Sequence, residues 1–207
     1  MKHEWRKKEK NVYLPKKSPE IIEIPEFIFI TIDGEGNPNS EAFGSYIEAL
    51  YSIAYTIKMT MKKENNAKNY IDYTVYPLEG VWDINDKAKK QYNDTLNKDD
   101  LVFKLMIRQP HFVSSEIFEN MKKIAISKKK NPLLKNVNLE KITEGQCIQM
   151  MHLGSYDDEP KTFEIMENFA LKNNLNRVSK IHREIYISDF RKVPVDKLKT
   201  VLRFNVE

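Results

Sequence analysis

Residues 182–189 alternate between apolar and polar side chains with the two-residue period of a β-strand. The residues on the apolar side, with one charge among them, are Ile181, Arg183, Ile185 and Ile187. The residues on the polar side are His182, Glu184, Tyr186 and Ser188. A carboxylate and a phenol, Glu184 and Tyr186, are therefore neighbours on one face. On an open surface they would be solvated, whereas under a cover they would form a buried acid beside a phenol, where pKa values shift.

A long amphipathic helix is predicted in the first third of the chain. Its apolar residues recur at steps of three and four, the spacing of one buried helical stripe. These residues are Phe43, Ile47, Leu50, Ala54, Ile57 and Met61. We expect this helix to end at Glu64, Asn65 and Asn66.

The order of the predicted elements indicates the fold class. Strand, long helix, strand and strand follow one another twice, in residues 20–109 and 139–207, and residues 110–138 supply a connecting helix. The predicted strands lie at 20–32, 71–78, 101–107, 145–152, 182–188 and 200–206. We therefore predict an α+β protein of two pseudo-symmetric modules, whose antiparallel sheets frame a central ligand cleft. Glu184 and Tyr186 would face this cleft, opposite the side of the sheet that packs on the helix.

Charge is concentrated at the N-terminus. The whole chain has a net charge of +4, but residues 1–17 hold seven Lys or Arg and two Glu, a local charge of +5. The remaining residues are close to neutral, so the folded body has no basic surface for nucleic acid. We interpret residues 1–19 as a basic N-terminal arm that is a solvated tail, and we expect no direct nucleic-acid binding.

Several classes of protein are disfavoured. No apolar run approaches the ~20 residues of a membrane span, and the N-terminus has no apolar core of a secretory signal. Cys147 is the one cysteine, which favours the reducing cytoplasm, and its apolar neighbours predict a small core residue. No G-x-S-x-G motif is present.

No metal site is expected either. The four histidines, His3, His111, His152 and His182, are far apart and form no paired ligand spacing. The glycine-containing segment 33–36 is acidic, so it predicts a turn and not a phosphate-binding loop.

Five segments together give the chain a family resemblance. They are TIDGEGNPN (31–39), EALYSIAYTIK (48–58), YPLEGVWD (76–83), MHLGSYDDEP (151–160) and HREIYISD (182–189). In this order they resemble the GyrI-like small-molecule-binding family, which is related to the effector domains of bacterial multidrug-responsive regulators. Together they resemble the stand-alone branch that includes hydrolases of cyclopropane-bearing, DNA-alkylating antibiotics of the yatakemycin type. Residues 20–207 would form one GyrI-like domain.

The resemblance implies roles for particular residues. Glu184 matches the family glutamate at the floor of an aromatic pocket, and Tyr186 beside it would help to position water for attack on the strained ring. Trp82 and other aromatic residues would sandwich a planar aromatic ligand, with Glu79 as a second acid. The chain differs at Asp83, where many members of the branch carry a second tryptophan. No cofactor is implied.

Further candidates for ligand contact are Tyr55, Tyr156 and His152, and each of the candidates has a structural alternative. Trp82 would equally suit a core, Tyr55 would suit packing of its helix on a sheet, and His152 would suit a hydrogen-bonded structural histidine.

The predicted function is thus a hydrolase that adds water to a cyclopropane ring. The alternatives are a non-catalytic module that sequesters or senses hydrophobic cationic drugs, and a protein that binds another protein.

Overall fold

The computed structural model of the chain describes residues 2–64, 70–91 and 96–207. Helices and antiparallel strands are both present, which confirms the predicted α+β class. The helices are α1 Trp5–Lys8, α2 Lys10–Tyr13, α3 Glu41–Glu64, α4 Asp86–Lys90, α5 Ser115–Lys128 and α6 Glu159–Lys172. The strands are β1 Glu20–Ile24, β2 Phe27–Glu35, β3 Leu78–Ile84, β4 Leu101–Gln109, β5 Asn138–Ile142, β6 Gly145–Leu153, β7 His182–Tyr186 and β8 Lys199–Asn205. None of the helices within these ranges combines the length and the hydropathy needed to cross a bilayer.

The chain divides into two compact units. Unit 1 contains the described parts of residues 27–78 and 82–142, with the first residues up to His3. Unit 2 contains residues 4–26, 79–81 and 143–207. Strand β3 is therefore shared, because Glu79–Val81 belong to unit 2 and its other residues belong to unit 1.

Unit 1 is organised around β2 and the long helix α3. Strand β2 lies between β4 and β5 and pairs antiparallel with both, so that Ile30 is opposite Ile107 on one side and Leu139 on the other. Helix α3 packs against β2, β4 and α5. The predicted stripe is confirmed over most of its length, with Leu50, Ala54, Ile57 and Met61 all buried. Asn65 and Asn66, the predicted end of this helix, lie outside the described residues.

Two strand predictions need correction. The predicted strand 71–78 is wrong, because β3 begins only at Leu78 and continues through Gly80 to Ile84. Tyr73 and Tyr76, within the predicted strand, are buried in irregular chain. The predicted strand 20–32 divides into β1 and β2 around Pro25, since proline has no N–H to donate to a strand ladder.

Unit 2 is a four-stranded antiparallel sheet with a helix on one face. The order is β1-β6-β8-β7. Helix α6 covers an apolar cluster from β6 and β8 that includes Met150 and Leu202, and contributes Met166 and Ala170 to it. This burial fixes α6 on the sheet, because an amphipathic helix gains most of its stability from packing its apolar face.

The register of β6, β8 and β7 decides which side chains face α6. Met150 is opposite Leu202, and Leu202 is opposite Glu184. Directly opposed residues point to the same face of a sheet, so Glu184 lies on the α6 side with Met150 and Leu202. On the other face, Gln149 is opposite Arg203, which is opposite Arg183.

The N-terminal segment of unit 2 covers this second face. Trp5 is 3% exposed and Tyr13 is 1% exposed, and their rings are 5.2 Å apart. The carbonyl oxygen of Val12 accepts a 2.8 Å hydrogen bond from Arg203 Nη2. The prediction of a solvated tail is therefore wrong for the part of the segment from Trp5 to Tyr13. Its lysines remain exposed to water, whereas burial of its apolar residues Trp5, Val12 and Tyr13 anchors the segment.

Replacing Trp5 by alanine should destabilise the protein substantially. A solvated tail would tolerate this change, whereas loss of a buried tryptophan costs about 3–5 kcal/mol of unfolding free energy. Chemical denaturation followed by circular dichroism measures the difference. The matched control is Lys8→Ala, which removes an exposed side chain of the same helix and should cost less than about 0.5 kcal/mol. Equal stability of Trp5→Ala and Lys8→Ala would contradict the anchored segment.

Candidate functional site

The first turn of α6 lies at the end of β6 and is held there by local structure. Gly154 makes the turn between them with a φ of 117°, a backbone conformation that favours glycine. The Ser155 side chain then accepts a hydrogen bond from the backbone N–H of Asp157 and caps a short 3₁₀ turn. Glu159 follows as the first residue of α6. In the sequence, the acids of residues 157–159 and Pro160 predict the start of a helix, and Asn173 and Asn174 predict its end. Both are confirmed, since α6 runs from Glu159 to Lys172.

His152 secures this turn from the end of β6. Its Nε2 is 2.9 Å from the carbonyl oxygen of Ser155, and its Nδ1 is 2.8 Å from Thr162 Oγ1 on α6. Because a carbonyl only accepts, Nε2 carries the proton, and Nδ1 of the neutral ring accepts from the threonine hydroxyl. Both ring nitrogens are thus engaged in holding α6, which favours the structural interpretation of His152 over ligand contact.

Glu184 is buried at the N-terminal end of α6. It is 8% exposed, so the solvated alternative is excluded. The prediction that Glu184 and Tyr186 face away from the helix-packed side is wrong, because Glu184 is opposite Leu202, which packs in the α6 core. Alternation within the strand distinguishes two faces but does not tell which of them the helix covers.

A second carboxyl group, missed by the sequence analysis, accompanies Glu184. Glu159 is 6% exposed and has a carboxylate oxygen within 4.8 Å of both the Glu184 carboxylate and a His182 ring nitrogen. Burial, and then the charge of neighbouring Glu184, raises the pKa of Glu159 well above its ordinary value. In the sequence, Glu159 looked like an acid in the first turn of a helix, where carboxylates are common. Only the approach of α6 to β7 makes it half of an acid pair.

His182 completes the cluster and is tightly oriented. Its Nδ1 lies 3.2 Å from the carbonyl oxygen of Lys180, and its Nε2 lies 3.3 Å from Glu184 Oε1. The ring of Phe163, on α6, packs edge to face on the imidazole with centroids 4.8 Å apart. The sequence placed His182 on the same strand face as Glu184 but gave it no role. We call Glu159, His182 and Glu184 the acid–histidine cluster.

Two tyrosines lie beside the acid–histidine cluster. Tyr186 is half-buried, and its ring meets that of Tyr156 at 85° with centroids 6.1 Å apart. Burial, followed by the charge of Glu184, raises the pKa of Tyr156 to about 12. The Tyr156 phenol therefore keeps its proton at neutral pH and is a hydrogen-bond donor close to the carboxylate.

Glu79 is placed on the other face of the sheet. Its carboxylate accepts a 2.7 Å hydrogen bond from Arg183 Nη1, with both side chains almost fully buried. Arg183 also forms an ion pair with Glu144, which in turn pairs with Arg203. Since adjacent residues of a strand point in opposite directions, Arg183 and Glu79 are separated from Glu184 by the sheet. The acid that accompanies Glu184 is thus Glu159.

The remaining two candidates belong to unit 1. Trp82 is buried, and its ring lies 5.9 Å from that of Phe43 and 5.2 Å from that of Phe103. Tyr55 is 51% exposed on α3, so the alternative in which it packs on the sheet is wrong. A role in ligand contact stays a prediction for both.

Comparisons with known proteins agree with this fold. A family described as the GyrI-like small molecule binding domain matches residues 17–207. Among solved structures, an uncharacterized conserved protein from Listeria innocua is 37% identical, with a TM-score of 0.90 over 99% of this chain and 100% of the other. A hydrolase from Listeria innocua is 36% identical, with a TM-score of 0.89 and full coverage of both chains. The C-terminal domain of EcmrR shares the fold, with 17% identity and a TM-score of 0.51 over 92% and 97% of the two chains. No curated protein sequence matches this chain.

Replacing Glu159 by glutamine should stabilise the protein at neutral and alkaline pH. Its folded-state pKa is raised, so as pH rises above about 4.3 the unfolded state loses this proton before the native state does, and stability falls. Glutamine keeps the shape and cannot ionise, so the gain over wild type should grow with pH and vanish in acid.

Urea denaturation between acid and alkaline pH measures this gain. The matched control is Glu164→Gln, an exposed carboxylate on the same helix, whose effect should stay below about 0.5 kcal/mol. A Glu159→Gln protein less stable than wild type at neutral pH would show that Glu159 is ionised and favourably paired in the native state.

Proposed function

The chain belongs to the GyrI-like family of small-molecule-binding domains, and we propose that it is a hydrolase that adds water to the cyclopropane ring of planar DNA-alkylating drugs. The drug would be destroyed before it reaches DNA. As the sequence suggested, we place this activity in the cytoplasm and without a requirement for a cofactor. A solved Listeria innocua structure that is 36% identical is a hydrolase, which supports the reaction class.

One observation carries this proposal: Glu184 is a buried carboxylate in a cluster with a second acid and beside two phenols. Burial of a carboxylate without an arginine or lysine partner is costly, and such groups are concentrated at functional sites. Among the described residues, the Glu184 carboxylate lies 3.3 Å from Nε2 of His182. Elsewhere in unit 2 the buried Glu79 and the partly buried Glu144 pair with arginines, as structural carboxylates do.

In the proposed reaction Glu184 acts as the general base. A water molecule held between its carboxylate and the Tyr186 hydroxyl gives a proton to Glu184 as its oxygen attacks a methylene carbon of the strained ring. The ring C–C bond breaks, and its electron pair passes into the conjugated carbonyl of the substrate. The resulting oxyanion takes up a proton, so that the net change is the addition of one water.

The phenols would stabilise the charge that develops on the substrate. Tyr156 is protonated at neutral pH, as any phenol is, and burial raises its pKa further, to about 12. It can therefore donate to an oxyanion without losing its proton in the ground state. The ring of Tyr186 packs on that of Tyr156, and the Tyr186 hydroxyl would help to orient the water. Strain in the cyclopropane supplies the driving force.

The same groups favour one alternative function. A carboxylate flanked by aromatic rings also suits a hydrophobic cation, which would be held by charge and by cation–π contact. The protein would then sequester or sense such drugs without changing them.

Incubation with a cyclopropane alkylator, followed by mass spectrometry, tests the hydrolase. We expect a product heavier by one water, with the rate lowered about 100-fold or more in Glu184→Gln because the base is lost. Tyr186→Phe removes only a hydroxyl and should lower the rate about tenfold or more.

The matched control is Glu167→Gln, which removes a half-exposed carboxylate of α6 that is paired with Arg177 and Lys180. Its rate should equal that of the wild type. Tight binding with unchanged ligand mass would support the sequestering module instead. Turnover by Glu184→Gln at the wild-type rate would rule out Glu184 as the base.

A further inference from the structure

We propose that Glu159, His182 and Glu184 form a binding site for one divalent first-row transition-metal ion, of which Zn²⁺ is the probe of choice. One ligand atom from each residue lies within 4.8 Å of the other two. One imidazole nitrogen and two carboxylate oxygens are a ligand set that Zn²⁺ accepts. This inference departs from the expectation of no metal site drawn from sequence, since its ligands come from two separate segments that only the packing of α6 on β7 brings together.

The orientation of His182 is the first argument. Its Nδ1 is 3.2 Å from the carbonyl oxygen of Lys180, and a carbonyl only accepts, so Nδ1 carries a proton. In the neutral ring the lone pair is then on Nε2, which lies 3.3 Å from Glu184 Oε1. Metal-ligating histidines almost always donate their second N–H to a backbone carbonyl or carboxylate in this way.

The distances are the second argument. Two ligand atoms held about 2.1 Å from an ion at tetrahedral angles lie about 3.4 Å apart. The separation of His182 Nε2 from Glu184 Oε1, 3.3 Å, matches this value. A neutral imidazole lone pair and a carboxylate oxygen repel each other at this distance unless a proton or a cation lies between them.

The Glu159 carboxyl group is the third argument and an independent one. Glu159 is only 6% exposed, and its Oε1 has no hydrogen-bond partner among the described residues. A buried oxygen without a partner is costly and calls for a ligand. A cation held by the three groups would give the Glu159 carboxylate a partner together with the two facing acceptors of His182 and Glu184.

The ligands are also held rigidly, as a metal site requires. Two of them lie on the same face of the short strand β7, and the third begins α6. Phe163 packs on the His182 ring from α6, and His152 ties the same helix to β6. These contacts hold the elements that carry the three ligands in place.

Three protein ligands leave room for a water or another ligand in the coordination shell. A carboxylate bound to the ion is no longer available as a base, so Zn²⁺ should inhibit the cofactor-independent hydrolysis. This consequence rests on the proposed function, whereas the binding itself does not. Binding is therefore measured without substrate, and turnover is measured on protein treated with a chelator, so that either proposal can fail alone.

Isothermal titration of the chelator-treated full chain with Zn²⁺ tests the site. We expect one ion per chain and release of protons, seen as a dependence of the heat on the buffer, because metal ligands must be deprotonated. Titration with Co²⁺ should give a visible absorption band of a low-symmetry site with nitrogen and oxygen ligands. Glu159→Gln, His182→Asn and Glu184→Gln should each weaken Zn²⁺ binding by more than about tenfold.

Two variants serve as matched controls: Glu167→Gln on the same helix and His111→Asn, an exposed histidine of unit 1. Both should bind Zn²⁺ like the wild type, and circular dichroism confirms that every variant is folded. Absence of saturable Zn²⁺ binding by the wild type would overturn the proposal. So would binding that persists unchanged in the three cluster variants, or that is lost equally in His111→Asn.

Discussion

The pairing of β7 with β8 is the constraint on which the chemistry of unit 2 depends. It sets Arg183 opposite Arg203 and Glu184 opposite Leu202. Because the side-chain period of a strand is two, a slip of one residue would exchange the two faces. Arg183 would then lie under α6 and Glu184 would meet the buried arginine and its carboxylates. The register thus places the two arginines on one face of the sheet and Glu184 on the other.

Each face handles its buried charge differently. On one face the acids pair with arginines: the buried Glu79 pairs with Arg183, and the partly buried Glu144 pairs with both Arg183 and Arg203. Such closed networks are expensive to break, although an apolar core would serve stability equally well. On the other face, Glu159 and Glu184 have each other and His182. Unlike the first face, this one brings two buried carboxyl groups together with a histidine and without an arginine among the contacts described, which makes it suitable for chemistry or for binding.

The position of the cluster follows from where the apolar contact under α6 ends. Met150, Leu202 and Met166 fill the middle of the helix–sheet contact. The first backbone N–H groups of α6 have no partners within the helix, so polar groups are needed at this end and at the turn after β6. Some of these polar groups are supplied by His152, Thr162 and Ser155. The carboxyl groups of Glu159 and Glu184 lie at the same end of the helix. The cluster is therefore buried between the apolar helix–sheet contact and the polar end of α6, and packed elements surround it.

The sequence by itself determined the α+β class, most strands of unit 2, the limits of α6 and the pairing of Glu184 with a phenol on one strand face. These follow from local periodicity, from caps and from turn residues, which act within a few positions of the chain. The family resemblance over residues 17–207 was likewise visible in short motifs and was confirmed.

Tertiary structure alone decided which face of β7 is covered by α6. It also decided that Glu159 and His182 lie beside Glu184, and that Glu79 pairs with Arg183 on the opposite face of the sheet. It also decided that Trp5 and Tyr13 anchor a segment whose charge suggested a solvated tail. Contacts between residues distant in sequence leave no periodic signal, because they depend on strand register and helix packing and not on the neighbours of each residue.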